Sequence, residues 1–257
     1  MFFLHDNTIE GFLTCVFEAY RREGVAARIC AAERFGQLTI EETAAIPADP
    51  DKAERVARGI LRRTGRDGWD NVQRVFRTAC ADKDTVIYRY LALVFQGPDP
   101  HTAALPRGGR VLSRFADPRV IAFNDLLAKF NHECHRFLGL TRFRETASGV
   151  LYAPIAPDHD ILETILPHFA DRLNGFPFGI YDTSRKFLGL SDGREYRAGK
   201  ISSDPEIELA QNEIAFQALW KRYYDDIAVE ERKSEKRRRA FMPERYWKFL
   251  PEIKNDL

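Results

Sequence analysis

The strongest candidate for chemistry in the sequence is a block of basic and aromatic side chains at residues 232–248. The block holds eight basic residues against two acidic ones. Cations neutralise phosphates by releasing counterions, and interleaved aromatic rings can stack on exposed bases. We therefore predict nucleic-acid contact by Lys236, Arg237, Arg238, Arg239, Arg245 and Lys248. The alternative is that the aromatic rings dock a short terminal helix while the arginines stay solvated.

A second basic set lies at residues 142–144. Arg142 and Arg144 are two positions apart, so on a strand they share one face and can reach neighbouring phosphates. Phe143 would then point to the other face. The alternative is a surface ribbon in which Glu145 offsets the charge. We include Arg142 and Arg144 in the predicted nucleic-acid-binding set.

The histidines offer weaker candidates. His132 and His135 are three residues apart on a predicted helix, a spacing that can present both to one metal ion, with His159 and His168 in the next segments. A cluster of this kind with carboxylates would suit hydrolysis, but one local pair is too little, and we predict no metal site.

A catalytic use without metal is the other reading of these histidines. His159 or His168 could act as a general base oriented by Asp158 or Asp182. In the competing interpretation Asp158 caps a helix and His168 forms hydrogen bonds within a core. The weak catalytic candidates are therefore His135, His159, His168 and Asp182.

The cysteines do not suggest a cofactor. Cys15, Cys30, Cys80 and Cys134 are far apart and form no C-x-x-C pair, which argues against a zinc ribbon or a local iron–sulfur loop. We expect reduced thiols and no cofactor. The sequence contains no apolar run long enough for a membrane span and begins without a secretion-signal pattern. The expected location is the cytoplasm, without a membrane partner.

Charge is distributed unevenly along the chain, although the net charge is only +1. Residues 1–50 carry four basic and eight acidic side chains, whereas residues 51–150 carry eighteen basic and eleven acidic ones. Such a pattern is typical of a protein that meets a polyanion on one face.

The periodicity of apolar residues predicts an α+β fold that is mostly helical. A short strand at the start is followed by an irregular stretch at 24–50 and by helices near 51–63, 67–80 and 83–96. Another helix begins at Asp117-Pro118. A small antiparallel sheet in β-β-α-β-β order is expected around residues 140–201.

A long helix is predicted from Pro205 to about Asp226. By composition the chain divides into a helical region (1–100), an α/β region with antiparallel hairpins (101–204) and a C-terminal helix with the basic-aromatic tail (205–257). We expect these regions to pack as one globular unit.

Several stretches resemble a bacterial family of DNA metabolism or DNA repair proteins, formally a domain of unknown function. They are IEGFLTCVFEAY (9–20), the run from 135 to 162, LPHFADRL (166–173), FGIYDTSR (178–185) and FMPERYWKFLPE (241–252). The resemblance implies an association with a radical S-adenosylmethionine (SAM) protein encoded nearby. In longer relatives the domain precedes a uracil-DNA-glycosylase-like domain. The family pattern supports His135, His159 and His168 but not His132, and it assigns no catalytic residues.

Three hypotheses follow. The first is a nucleic-acid-binding accessory module that acts in DNA repair or DNA metabolism with a radical SAM enzyme or a glycosylase. The second is a nucleic-acid-processing enzyme, which requires its histidines and Asp182 to converge in one cleft. The third is a protein-interaction scaffold for the radical SAM partner, in which DNA contact is incidental.

Overall fold

A computed structural model describes residues 1–36, 42–96, 117–227 and 234–253. It confirms the α+β class. The chain divides into two compact units, Met1–Phe130 and Asn131–Leu257, with the division inside a helix. None of the helices in the described ranges is long and apolar enough to span a membrane. The division of the chain by composition into residues 1–100, 101–204 and 205–257 remains a prediction.

The first unit combines a parallel three-stranded sheet, in the order β2-β1-β3, with helices. Thr8 caps the first helix by accepting a hydrogen bond from the backbone N–H of Gly11 at 2.9 Å. Asp49 caps the second, which has proline at its first position. The elements are β1 (Phe2–His5), α1 (Ile9–Arg22), β2 (Arg28–Ala31), β3 (Thr43–Ala45), α2 (Pro50–Phe76), α3 (Lys83–Gln96) and α4 (Pro118–Leu140), which continues into the second unit.

One prediction for this unit was wrong and another is confirmed. The stretch at 24–50 is not wholly irregular, because it supplies β2 and β3, which flank β1 in parallel register. Strands of three or four residues are too short to show a clear alternation. The separate helices predicted near 51–63 and 67–80 are confirmed, since α2 consists of two helical segments that meet at a kink at Gly65, where φ is 75° and the backbone is not helical. Glycine tolerates this backbone conformation, so the chain turns there between the two segments.

The second unit contains a five-stranded sheet in the order β4-β5-β6-β7-β8. The predicted β-β-α-β-β order is present, but the sheet is mixed because β5 and β6 run parallel while the other pairs are antiparallel. The helix between them is the crossover that a parallel pair requires. The elements are β4 (Arg144–Glu145), β5 (Leu151–Ile155), α5 (Leu162–Arg172), β6 (Phe178–Asp182), β7 (Phe187–Ser191) and β8 (Tyr196–Lys200).

The helix predicted from Pro205 begins eight residues later, as α6 (Glu213–Asp226). The preceding residues pair with the β4 region instead. Ala147 donates a backbone hydrogen bond to Glu208 at 2.9 Å, and Ala210 donates one to Glu145 at 3.0 Å. These long-range bonds satisfy backbone groups that a helix would otherwise have used.

Candidate nucleic-acid interface

The basic-aromatic block folds as a short helix followed by a 3-10 turn. Ser234 caps α7 (Glu235–Phe241) by accepting a hydrogen bond from the backbone N–H of Arg237 at 3.3 Å. The 3-10 turn covers Glu244–Phe249 after Pro243. We call residues 234–253 the basic segment. Arg232 and Lys233, which belong to the predicted block, lie outside the described residues.

A buried carboxylate on α4 holds the middle of the basic segment in place. Glu133 is 3% exposed and accepts a hydrogen bond from the hydroxyl of Tyr246. It also accepts the backbone N–H groups of Asp158 at 2.8 Å and His159 at 2.7 Å. Burial, together with the bond to Glu133, raises the pKa of the Tyr246 hydroxyl, so this group stays a neutral donor. Glu133 therefore joins the segment to the loop between β5 and α5.

A second buried carboxylate holds the end of the segment. The side chain of Glu252 accepts hydrogen bonds from Arg142, at 2.6 Å from Nη2 and 3.1 Å from Nε, and from Trp220 Nε1 at 3.1 Å. The Arg142 guanidinium also stacks on the Trp220 ring at 5.2 Å. Glu252 offsets the charge of Arg142, so this predicted phosphate contact anchors the end of the segment.

Carboxylates also offset the positive charges of three further predicted phosphate contacts. Arg238 lies 2.8 Å from Glu235 and stacks on Trp247, and Arg239 contacts both Glu235 and Glu244. Arg245 pairs with Asp158 at 2.8 Å and stacks on Tyr246. These exposed pairs are weak, but each one reduces the positive charge that the guanidinium presents.

The positive charges of the remaining predicted cations are not offset by carboxylates of the described residues. Lys236, Arg237 and Lys248 are exposed, and no carboxylate within the described ranges pairs with them. Lys248 lies 5.1 Å from the centre of the Phe249 ring. Arg144 on β4 also has no carboxylate partner among the residues that the structure describes. Phe241 in the same segment is 72% exposed, so the basic segment presents both cations and an aromatic ring to solvent.

The structure does not bring the catalytic candidates into one metal-binding group. His135 and His168 are exposed on α4 and α5, and His159 is half-buried in the loop between β5 and α5. Across the ranges that the structure describes, no three His, Cys, Asp or Glu side chains lie close enough to hold a metal ion.

Asp182 is buried, but its oxygens are already engaged. It accepts the backbone N–H groups of Ser184 and Arg185 and pairs with the Arg185 guanidinium at 2.9 Å. Arg185 in turn donates to the carbonyl oxygens of Pro157 and Asp158. Burial raises the pKa of Asp182, and the bond from Arg185 opposes that shift. Asp182 therefore fastens two loops together.

The predicted cap by Asp158 is wrong, since Ile161 occupies the cap position of α5 and Asp158 pairs with Arg245.

Sequence reasoning missed Glu133, Glu252 and Tyr246 as the residues that fix this surface. A buried acidic residue looks like any other charge in a sequence, and one partner of each, Tyr246 for Glu133 and Arg142 for Glu252, lies more than 100 residues away. The local signal was Tyr246 itself, since a buried tyrosine hydroxyl usually needs a partner.

Comparison with known proteins gives one family. No curated protein and no solved structure matches the chain. The family described as a domain of unknown function, DUF4130, matches residues 81–252. The match covers all of the second unit except its last residues and reaches back into the first. On this match, the chain belongs to the DUF4130 family.

Proposed function

We propose that the chain is a nucleic-acid-binding accessory module of DNA repair or DNA metabolism, acting beside a radical SAM enzyme or a glycosylase. The observation that carries the proposal is the set of exposed cations Lys236, Arg237 and Lys248 on the basic segment. Glu133 and Glu252 hold the turn that carries Lys248, and Ser234 caps the helix that carries Lys236 and Arg237, so the chain orders these charges before a ligand arrives. Preordered cations bind a phosphate strand without the cost of immobilising the segment.

The proposal predicts that replacing Lys236, Arg237 and Lys248 together by alanine weakens binding to nucleic acid. We expect the loss to be roughly ten- to hundredfold at low salt, because three phosphate contacts disappear. Fluorescence anisotropy with a labelled oligonucleotide measures it. A matched control replaces three exposed cations elsewhere, Lys129, Arg172 and Arg194, and removes the same net charge. Equal losses in the two variants would mean that the basic segment is not the interface.

A second candidate function is a scaffold for a protein partner, and α6 favours it. Four exposed apolar residues, each at least half exposed, follow one stripe that runs to the C-cap: Phe216, Leu219, Tyr223 and Ile227; Ile214, which is 78% exposed, lies on another side of the helix. The side of α6 that faces its own unit carries the buried Glu213, which accepts a hydrogen bond from the backbone N–H of Glu145 at 2.9 Å. An amphipathic helix normally buries its apolar stripe, so a stripe that faces solvent favours a partner.

We expect Leu219→Arg to abolish co-purification with the radical SAM protein in the absence of DNA, because a charge would then enter the apolar contact. The control is Ala218→Arg, which places the same charge on α6 at an exposed position off the stripe. If the partner is retained by Leu219→Arg, or lost equally with both variants, the stripe is not its docking site.

A further inference from the structure

The five-stranded sheet has two faces with different chemistry. Helix α5 packs against one face, where Leu166 lies so close to Gly189 that a β-carbon there would be 2.9 Å from it. On the other face, the strand register places five residues in one row across the sheet: Arg144, Tyr152, Gly179, Leu190 and Arg197. This row has a cation at each end and an aromatic ring between them.

A cavity of about 420 Å³ opens along this row. Gly179 lines the middle of it between Tyr152 and Leu190, and a β-carbon at this position would lie 3.1 Å from the Leu190 side chain. The segment from Pro205 to Glu208 forms the far wall. The volume lies within the ~300–1,000 Å³ typical of small-molecule sites, and most of the lining is apolar. The cavity therefore suits a flat apolar ring better than a compact ion.

Polar groups around the cavity indicate how a ligand would be oriented. Arg144 neighbours Tyr152 in the row but does not line the cavity, and its Nε atom is buried and has no hydrogen-bond partner in the described part of the chain. A buried donor of this kind is rare in native proteins and is satisfied when a ligand supplies an acceptor. On the rim, Glu206 and Glu208 are exposed carboxylates. They repel phosphates and accept hydrogen bonds from amino groups, so the cavity favours the amino edge of a base and leaves the phosphates outside it.

We propose that this cavity holds one unstacked nucleobase of a single strand of nucleic acid, an inference that rests on the proposed function. The base stacks on Tyr152 above Gly179, with its exocyclic amino group toward Glu206 and Glu208. The sugar–phosphate strand crosses the sheet between Arg144 and Arg197. Five neighbouring strands place these arginines about 19 Å apart, enough for a short run of nucleotides. The site gives the module a preference for single strands that the basic segment alone does not supply.

The test compares binding of an oligodeoxycytidylate of about 12 nucleotides, within the site sizes of single-strand-binding domains, with binding of a duplex of the same length. Tyr152→Ala is expected to weaken single-strand binding roughly ten- to hundredfold and to leave duplex binding unchanged, because stacking on one base is lost. Tyr152→Phe keeps the ring and should bind like the parent. Tyr196→Ala is the matched control, since Tyr196 is exposed on the opposite face of the same sheet.

The outcomes separate this site from the proposed function. If Tyr152→Ala and Tyr196→Ala bind the single strand as tightly as the parent, the cavity is not a base site, while the basic segment keeps its role. If Tyr152→Ala fails to fold, Gly179→Val takes its place, because its side chain presses on Leu190 and intrudes on the cavity that Gly179 lines. Unchanged single-strand binding by that variant also overturns the inference. A parent chain that binds neither oligonucleotide at low salt overturns both proposals.

Discussion

Glu133→Ala is expected to lower the free energy of unfolding by about 3–5 kcal/mol, because it removes a buried carboxylate that serves three donors. The substitution leaves the Tyr246 hydroxyl and the backbone N–H groups of Asp158 and His159 without their common acceptor. All three donors lie at the junction of the basic segment with the β5–α5 loop, so water does not replace the carboxylate without opening that junction.

Urea unfolding followed by tryptophan fluorescence measures this effect, since Trp220 and Trp247 both lie in the second unit. Asp125→Ala is the matched control, an exposed carboxylate on the same helix α4. Tyr246→Phe removes one of the three donors and should cost only about 1–2 kcal/mol. Equal stabilities of Glu133→Ala and Asp125→Ala would show that Glu133 does not hold the segment.

Glu252→Ala is expected to destabilise the second unit by about 2–3 kcal/mol. The change leaves the Arg142 guanidinium and Trp220 Nε1 without their acceptor. The cost is below the ~3–5 kcal/mol of a fully buried pair because the side chain of Arg142 is 21% exposed and keeps its hydrogen bond to the Gly139 carbonyl oxygen.

A double-mutant cycle makes the second prediction specific. Removing both partners, Arg142→Ala with Glu252→Ala, should be less costly than the sum of the two single changes, because no charge is then left unpaired. The same unfolding measurement applies. Additive single and double effects would mean that the two side chains do not interact in solution.

The fold class was predictable because helical and strand periodicities are local properties of the chain. The parallel pairing of β5 with β6 was not, since it depends on where α5 returns the chain. The late start of α6 has a similar cause. Leu209 and its neighbours bond to residues 145–147, more than 60 positions away, and that pairing outweighs the local helical pattern.

The residue types of the site and its local ion pairs were predictable from the sequence, whereas its long-range ion pairs were not. Glu235 lies three and four positions before Arg238 and Arg239, so those ion pairs follow from helical spacing. The partnership of Arg142 with Glu252 spans 110 positions and depends on the tertiary fold. Counting charges in the sequence therefore overestimated the number of cations without a carboxylate partner. In the described part of the basic segment, these predicted cations are Lys236, Arg237 and Lys248.

The most direct test of the central claim is the salt dependence of single-stranded oligonucleotide binding by the parent chain and by the variant lacking Lys236, Arg237 and Lys248. A plot of the logarithm of affinity against the logarithm of salt concentration should fall steeply for the parent. The slope of the variant should be shallower by about 2, since each lost phosphate contact removes about 0.7 from it. Identical slopes, or an affinity that does not change with salt, would contradict the claim.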